Sequence, residues 1–275
     1  MPFRLWMQGP KCRSNARLDG KVVVITGANT GIGKVTALEL SKRGAKVVML
    51  CRSLERGQAA ADQIRKVTQG EVILYQMDLS SQRSIRECAQ QLSTTLEKID
   101  ILVNNAGVAN CPLQRTEDGL EMQMGTNHFG HFLLTHLLMP LLRKAAPGAR
   151  IVNVSSLGHI VGQIYWDDIN FETRPYSPLN AYTQSKLANI LFTKELARRM
   201  EGSGVTAYAL HPGVINTEVG RHIKDSYGAL AALLYKPFNA LGICCNVSFV
   251  FVQVDYTITT TFFNLTSTKL ITQQR

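Results

Sequence analysis

The chain has 275 residues, 45% apolar and 18% charged, which is long enough to bury a substantial core and too apolar for a disordered segment. Thirty basic against twenty acidic residues leave a net charge of +10. That excess suits a phosphorylated cofactor or an anionic lipid surface, and the lack of basic runs with interleaved aromatics makes nucleic acid the weakest partner.

The first segment, residues 1–19, reads as a basic leader. Its opening "MPFRLWMQGPKCRSNAR" holds four basic residues, no acid and only a short apolar patch. It is too interrupted for a signal peptide or a membrane span, and a loose leader is expected, with a weak mitochondrial presequence or a basic membrane-surface arm as alternatives.

From Lys21 onward, short apolar runs alternate with helical stretches. Strands are predicted at "KVVVIT" (21–26), "KVVMLC" (46–51), "EVILYQM" (71–77), "IDILVNN" (99–105), "RIVNVSS" (150–156) and "VTAYAL" (205–210). Near-continuous Val/Ile runs are what parallel strands covered on both faces require. Helices are predicted around 32–43, 53–68, 81–97, 119–145 and 180–201. Repeated alternation specifies an α/β fold: a Rossmann-type doubly wound parallel sheet with helices on both faces, in one domain over 20–215.

Between the first strand and the first helix lies "VITGANTGIG", with Gly27, Gly31 and Gly33 spaced G-x-x-x-G-x-G. Missing Cβ atoms let such a turn approach a pyrophosphate, and the helix N-terminus beyond it offers amide donors. The second strand ends at Cys51 and Arg52, without the acid that would bind a ribose 2′-hydroxyl. A guanidinium there suits a 2′-phosphate, so NADP(H) is expected over NAD(H).

Six cysteines, at 12, 51, 88, 111, 244 and 245, form no Cys-x-x-Cys pair, as in a reduced compartment where thiols serve as small apolar residues. The Asn-x-Ser/Thr sequons at Asn153, Asn246 and Asn264 are discounted, the first because it falls in a predicted buried strand. His128, His131 and His136 share a helix with no matching carboxylate or thiolate, so they are expected to pack or to line an interface, and no metal site is predicted. "LLTHLLMPLL" is too short for a membrane span and reads as core helix.

"NAYTQSKLAN" sets Tyr182 and Lys186 four positions apart, hence on one helix face. A free phenol has a pKa of about 10, and a neighbouring ammonium favours the phenolate. Such a pair can exchange a proton near neutral pH.

"TGANTGIG", "NNAG" (104–107), "VNVSS" (152–156), "YTQSK" (182–186) and "HPG" (211–213), in that order, resemble the short-chain dehydrogenase/reductase family over residues 20 to 222. The resemblance implies a nicotinamide cofactor and a Ser–Tyr–Lys–Asn tetrad. Carried over by position, Tyr182 is the acid/base and Lys186 its helper, bonding also the nicotinamide ribose. Ser156 holds the substrate oxygen, and Asn127 in "GTNHFG" supports a water-linked proton path to the lysine. Ser155 would replace Ser156 if the strand register shifted by one. The same matching gives a cofactor set of Gly27, Asn29, Thr30, Gly31, Ile32, Gly33, Arg52, Asp78, Leu79, Asn105, Ala106, Gly107, Pro212, Gly213 and Thr217, with Tyr182 and Lys186. Asp78 either contacts adenine or only forms a turn.

Within the family, "CRSLERG", "NHFGHFLLTHLL", "AYTQSKLANILFTKELARR" and "HPGVINTE" look most like the retinol dehydrogenase branch numbered eleven to fourteen. That likeness implies NADPH-dependent reduction of retinaldehyde or another lipophilic aldehyde. It also implies an intracellular protein at an endoplasmic-reticulum or mitochondrial membrane surface, otherwise cytoplasmic, with possible homo-oligomers. Residues 216–240 include the apolar "ALAALLYKPF" (229–238), expected to form a substrate lid.

Two departures stand out: no apolar N-terminal anchor, and a tail over 241–275 without a family motif. Between Lys236 and Lys269 the only charged residue is Asp255. The tail can supply a substitute strand around 248–256. The stronger expectation is a segment foreign to the family, as an alternative splice form or read-through of non-coding sequence would give, with an uncovered sheet edge and an aggregation hazard. The alternative function is therefore an inactive or unstable isoform that at most binds a dinucleotide.

Overall fold

A computed structural model describes residues 14–213 and 225–228, and the backbone of residues 250–254, 258–262 and 271–272. Six parallel strands carry the fold: β1 (Val22–Thr26), β2 (Lys46–Cys51), β3 (Val72–Gln76), β4 (Ile101–Asn104), β5 (Ala149–Val154) and β6 (Val205–His211). Their spatial order is β3-β2-β1-β4-β5-β6. The chain thus reverses direction between β1 and β4, and an open parallel sheet opens a crevice beyond the strand ends at that point.

Helices α1 (Gly31–Lys42), α2 (Leu54–Thr68), α3 (Gln82–Thr95), α4 (Gly130–Lys144) and α5 (Pro178–Arg199) cover both faces. Alternate side chains of each strand feed opposite layers. Val23 and Ile25 pack with Ala37, Leu40, Ala60 and Ile64 of α1 and α2. Val24, Leu102 and Ile151 pack with Ile85, Leu92, Leu134, Leu138 and Leu196 of α3, α4 and α5. Truncating a fully buried leucine such as Leu134 or Leu138 to alanine would cost about 2–5 kcal/mol. All six predicted strands and the doubly wound arrangement are found, within two residues or so at the ends.

One predicted helix is built differently. The stretch 119–145 is a turn at Met122–Met124, a π turn at Gly125–Phe129 and then α4. The break follows from side chains that capture backbone groups at Asn127. Its carbonyl accepts from His131 Nδ1 at 2.9 Å and Asn189 Nδ2 at 3.2 Å, and Gly130 N–H instead bonds the Gly125 carbonyl. Such π turns concentrate at functional sites.

The helix α5 is tied to the sheet by a buried polar chain. Asn104 Nδ2 donates to Asn153 Oδ1 at 2.7 Å, and Asn153 Nδ2 to Thr193 Oγ1 at 2.9 Å. Although Asn104 Oδ1 itself has no partner among the described residues, these bonds between buried side chains set the rotation of α5 about its axis as well as its position. Asn153 is 2% exposed, in keeping with the discounted sequon.

Residues 14–19 of the leader are not loose. Leu18 is 6% exposed, and Arg43 Nη1 donates to the Ser14 and Ala16 carbonyls. At the other end, β7 (Val250–Val254) pairs antiparallel with β6, followed by β8 (Ile258–Phe262) and β9 (Ile271–Thr272). The substitute strand expected around 248–256 is present, and it covers the β6 edge that was expected to stay open. The remaining leader, lid and tail residues lie outside the described ones.

Candidate active site

The crevice is a cleft of about 310 Å³ beyond the C-terminal ends of β1, β2, β4, β5 and β6. Gly27, Asn29, Thr30, Gly31, Ile32, Gly33, Arg52, Asp78, Leu79, Asn105, Ala106, Gly107, Ser156, Tyr182, Lys186, Pro212 and Gly213 all line it. Every one of these was expected from the sequence. Thr217 lies outside the described residues, and Asn127 stands behind the wall instead of in it.

The turn after β1 needs its glycines. Gly27 has φ +66, and a Cβ there would lie 2.9 Å from Ala106 Cβ. A Cβ on Gly33 would overlap the Gly27 carbonyl oxygen. Helices α2, α3 and α5 each start on a serine that caps the first turn, at Ser53, Ser81 and Ser177. Helix α1 does not: its N-cap, Thr30, makes no side-chain cap bond. Its leading amides therefore face the cleft uncapped, as an anion site requires.

Thr26 braces this turn against the loop after β4. Its Oγ1 accepts the amides of Asn105 and Ala106, both at 2.9 Å, and meets His131 Nε2 at 2.9 Å. With both lone pairs engaged, the hydroxyl proton goes to Nε2, so the ring is neutral and Nδ1–H donates to Asn127. Burial lowers the His131 pKa to about 4. His128 packs against Phe129, Phe132 and Phe192. His131 is thus a buried brace and His128 a packing residue, and among the described residues no group of side chains can hold a metal ion.

At the end of β2, Cys51 is buried and its thiol is pushed up to about 11 by desolvation. It is an inert apolar residue where an acid was absent in the sequence. Arg52, Ser53 and Arg56 line the adjoining part of the cleft. Arg56 was missed, though its place one turn into a serine-capped helix beside Arg52 was a readable signal. Asp78 Oδ1 accepts from Ser80 N–H at 2.9 Å and Ser80 Oγ at 2.7 Å, so it forms a turn and also lines the cleft.

At the other end stand the residues expected from the sequence to react. Tyr182 and Lys186 project from one face of α5, with Nζ 5.6 Å from the tyrosine ring centroid. Lys186 is 4% exposed, donates to the Val154 carbonyl at 3.1 Å, and has its pKa lowered to about 8 by desolvation. Asn127 clamps the loop in front of it. Its Oδ1 accepts from Val108 N–H at 2.8 Å, and its Nδ2 donates to the Val108 carbonyl and to Ser185 Oγ, both at 2.9 Å. A Cβ on Gly107 would lie 3.1 Å from Asn127 Oδ1 and 3.6 Å from Lys186 Nζ, so Asn127 and Lys186 flank one spot.

The two serines after β5 have opposite fates. Ser155 is 3% exposed and donates to the Lys186 carbonyl at 2.8 Å. Ser156 faces the cleft, where its Oγ accepts from Gly158 N–H at 3.2 Å and keeps its proton for an outside acceptor. A Cβ on Gly158 would lie 3.6 Å from Ser156 Oγ and 3.7 Å from Tyr182 Cε1, so that glycine keeps open the space between them. Gly158 carried no sequence signal, and His211, on the cleft wall, was read only as part of the "HPG" motif and given no role of its own. Of the expected lid, Ser226 Oγ donates to the Asn110 carbonyl and Tyr227 OH to Asn110 Oδ1 at 3.2 Å.

Known proteins resemble this chain in sequence and in fold. The family described as short chain dehydrogenase matches residues 21–228. Human retinol dehydrogenase 13 is 55% identical over 218 residues, covering 79% of this chain and 66% of that protein. Human retinol dehydrogenase 12 is 50% identical over 237 residues, covering 86% and 74%. A solved but uncharacterised protein from Mycobacterium paratuberculosis is 40% identical, with a TM-score of 0.66 over 83% of this chain and 80% of that one. The RhlG/NADP active-site complex of Pseudomonas aeruginosa is 28% identical, with a TM-score of 0.63 over 82% and 89%. The chain thus spans about two thirds to three quarters of the curated relatives it matches.

Proposed function

The chain belongs to the short chain dehydrogenase family of oxidoreductases, and on that premise we propose that it is NADP(H)-dependent and interconverts a lipophilic aldehyde, of the retinaldehyde type, with its alcohol. The observation that carries this reading is the convergence of an uncapped glycine turn, two arginines and the Tyr182–Lys186–Ser156 group on one cleft.

The residues present fit the cofactor. The glycine turn folds so tightly against Gly27 and Asn105 that no Cβ fits at Gly33, and the α1 amides beside it suit a pyrophosphate. Arg52 and Arg56, with no acid at Cys51, suit a 2′-phosphate. When bound, NADPH supplies the hydride that the carbonyl carbon gains. Tyr182 gives the proton that the carbonyl oxygen gains in the same reduction, so aldehyde, hydride and proton balance to alcohol. Ser156, whose Oγ accepts from Gly158 N–H and keeps its own O–H, donates to that oxygen as charge develops. Lys186, still mostly ammonium at pH 7, favours the phenolate that remains. Asn127 holds Val108 and Ser185, and through them the walls on either side of the lysine.

Retinaldehyde as substrate type rests on the names of the relatives, supported by the apolar composition of 229–238. On the same resemblance the protein works at an endoplasmic-reticulum or mitochondrial membrane surface. Among the described residues no helix is long and apolar enough to cross a membrane.

The test is NADPH oxidation by the purified full chain with all-trans-retinaldehyde, with NADH and Tyr182→Phe as controls. Turnover that needs both NADPH and Tyr182 supports the proposal. A thermal shift with NADPH but no turnover of any lipophilic aldehyde would overturn it in favour of a dinucleotide-binding isoform.

A further inference from the structure

The ladder between β5 and β6 ends at Val154 opposite Leu210, with one further bond from Ser155 N–H to the Leu210 carbonyl at 2.7 Å. The next amide of that register, Leu157 N–H, would seek the carbonyl of residue 212, but the chain turns away through Pro212 and Gly213, the latter at φ +88. The His211 side chain takes that place: Leu157 N–H donates to His211 Nδ1 at 3.1 Å. An Nδ1 that accepts carries no proton, so the neutral ring has its proton on Nε2. An imidazolium would set N–H against N–H and break the contact.

The turn so held is the one that presents Ser156. Its Oγ accepts Gly158 N–H, and its carbonyl is engaged by His159 Nδ1 at 2.5 Å. His159 N–H also donates to the Ser156 carbonyl at 3.1 Å, so four bonds pin residues 156–159, and among the described residues only the one from His211 reaches them from another strand. We propose that His211 is a positioning residue for the substrate oxygen, its neutral ring anchoring the Ser156–Leu157 turn so that Ser156 loses its alignment when the ring is protonated. This deepens the proposed reductase reading and rests on it.

The surroundings set the direction of the pH response. Burial, then the nearby His159, lowers the His211 pKa from 6.5. Tyr182 and Lys186 of α5 line the same cleft, and β7, read "VFVQV", brings no titratable residue beside His211. The neutral ring is thus the resting form at pH 7, and protonation grows only as pH falls below 6.5.

Asparagine places an amide oxygen near where Nδ1 stands and does not titrate. Aldehyde reduction by the full chain would be followed from pH 5 to 8 in wild type, His211→Ala and His211→Asn, with NADPH affinity read separately. The expected result is a 10- to 100-fold loss of kcat/KM in His211→Ala, in the range that misplacing one catalytic contact gives, with the NADPH Kd within about threefold of wild type, the spread expected of a group outside the phosphate cradle. His211→Asn should recover most of that activity at pH 7 and lack the acid limb of the wild type. In a Ser156→Ala background, His211→Ala should cost less than about twofold, because its effect runs through the serine.

Full activity in His211→Ala, an unchanged acid limb in His211→Asn, or full additivity with Ser156→Ala would each overturn the proposal. A readout independent of turnover is 15N NMR of the histidine rings. An unprotonated Nδ1 at pH 7 is expected, and a protonated one refutes the anchor. A wild type that reduces no aldehyde yet shows the expected tautomer would sink the reductase reading and leave the anchor standing.

Discussion

Lys186 Nζ lies 5.6 Å from the Tyr182 ring centroid while it donates to the Val154 carbonyl at 3.1 Å. The ammonium is held at the rim of β5 beside the phenol, one helical turn away, and both line the cleft. A solvated surface pair would leave the lysine in water. Here it is buried, and burial is what makes the pair chemically informative.

Tyr182→Phe removes the phenolic proton without changing the packing of the ring. Turnover should fall by roughly 100- to 10,000-fold, the usual worth of a positioned acid/base. NADPH affinity should stay within a few-fold. A steady-state assay beside a fluorescence titration checks both.

Lys186 is expected to trade stability for function. Its folded pKa of about 8 lies below the unfolded 10.5, so below pH 8 both states hold the proton and the burial penalty is present in full. Between pH 8 and 10.5 only the unfolded state keeps it, so this contribution rises with pH across that window. At about 1.36 kcal/mol per unit the penalty is on the order of 3 kcal/mol. Lys186→Met should therefore abolish turnover yet leave the apo protein at pH 7 at least as heat-stable as wild type. A clearly lower apo melting temperature would show that the Val154 contact outweighs desolvation.

Arg52 and Arg56 should choose the cofactor. A charge-assisted bond to a phosphate contributes about 1.5–3 kcal/mol, or roughly 10- to 100-fold in affinity. Arg52→Ala with Arg56→Ala should weaken NADPH by at least that factor and change NADH by less than about threefold, a spread within neutral surface change. Calorimetric titration of both cofactors decides, and equal losses for the two would remove the 2′-phosphate assignment.

Neighbouring serines should separate cleanly. Ser156→Ala is expected to lower kcat by about 100-fold while changing stability by less than about 0.5 kcal/mol. Ser155→Ala breaks a buried bond to the Lys186 carbonyl and should destabilise by about 1–2 kcal/mol. Urea unfolding paired with kinetics on each variant tests the assignment.

The sheet, its winding and most of the cleft were legible from the chain alone, because they depend on local periodicity. Short valine and isoleucine runs between helical stretches suit buried parallel strands, and glycines at 27, 31 and 33 mark a turn whose backbone comes close to something. The i, i+4 spacing of Tyr182 and Lys186 likewise puts both on one face whatever surrounds them.

What no local pattern carried was set by partners far apart in sequence. The choice of Ser156 over Ser155 depends on the Lys186 carbonyl, 31 positions away. The π turn at Asn127 depends on Asn189, 62 away, and the His211 contact spans 54. Hydrogen bonds act over about 3 Å and not along the chain, so a residue's side-chain partners exist only once the sheet has brought them together. The sequence by itself determined the layers and which residue types meet at the crevice. The tertiary structure alone decided which atoms face inward, which are spent on bracing, and which remain to meet a substrate.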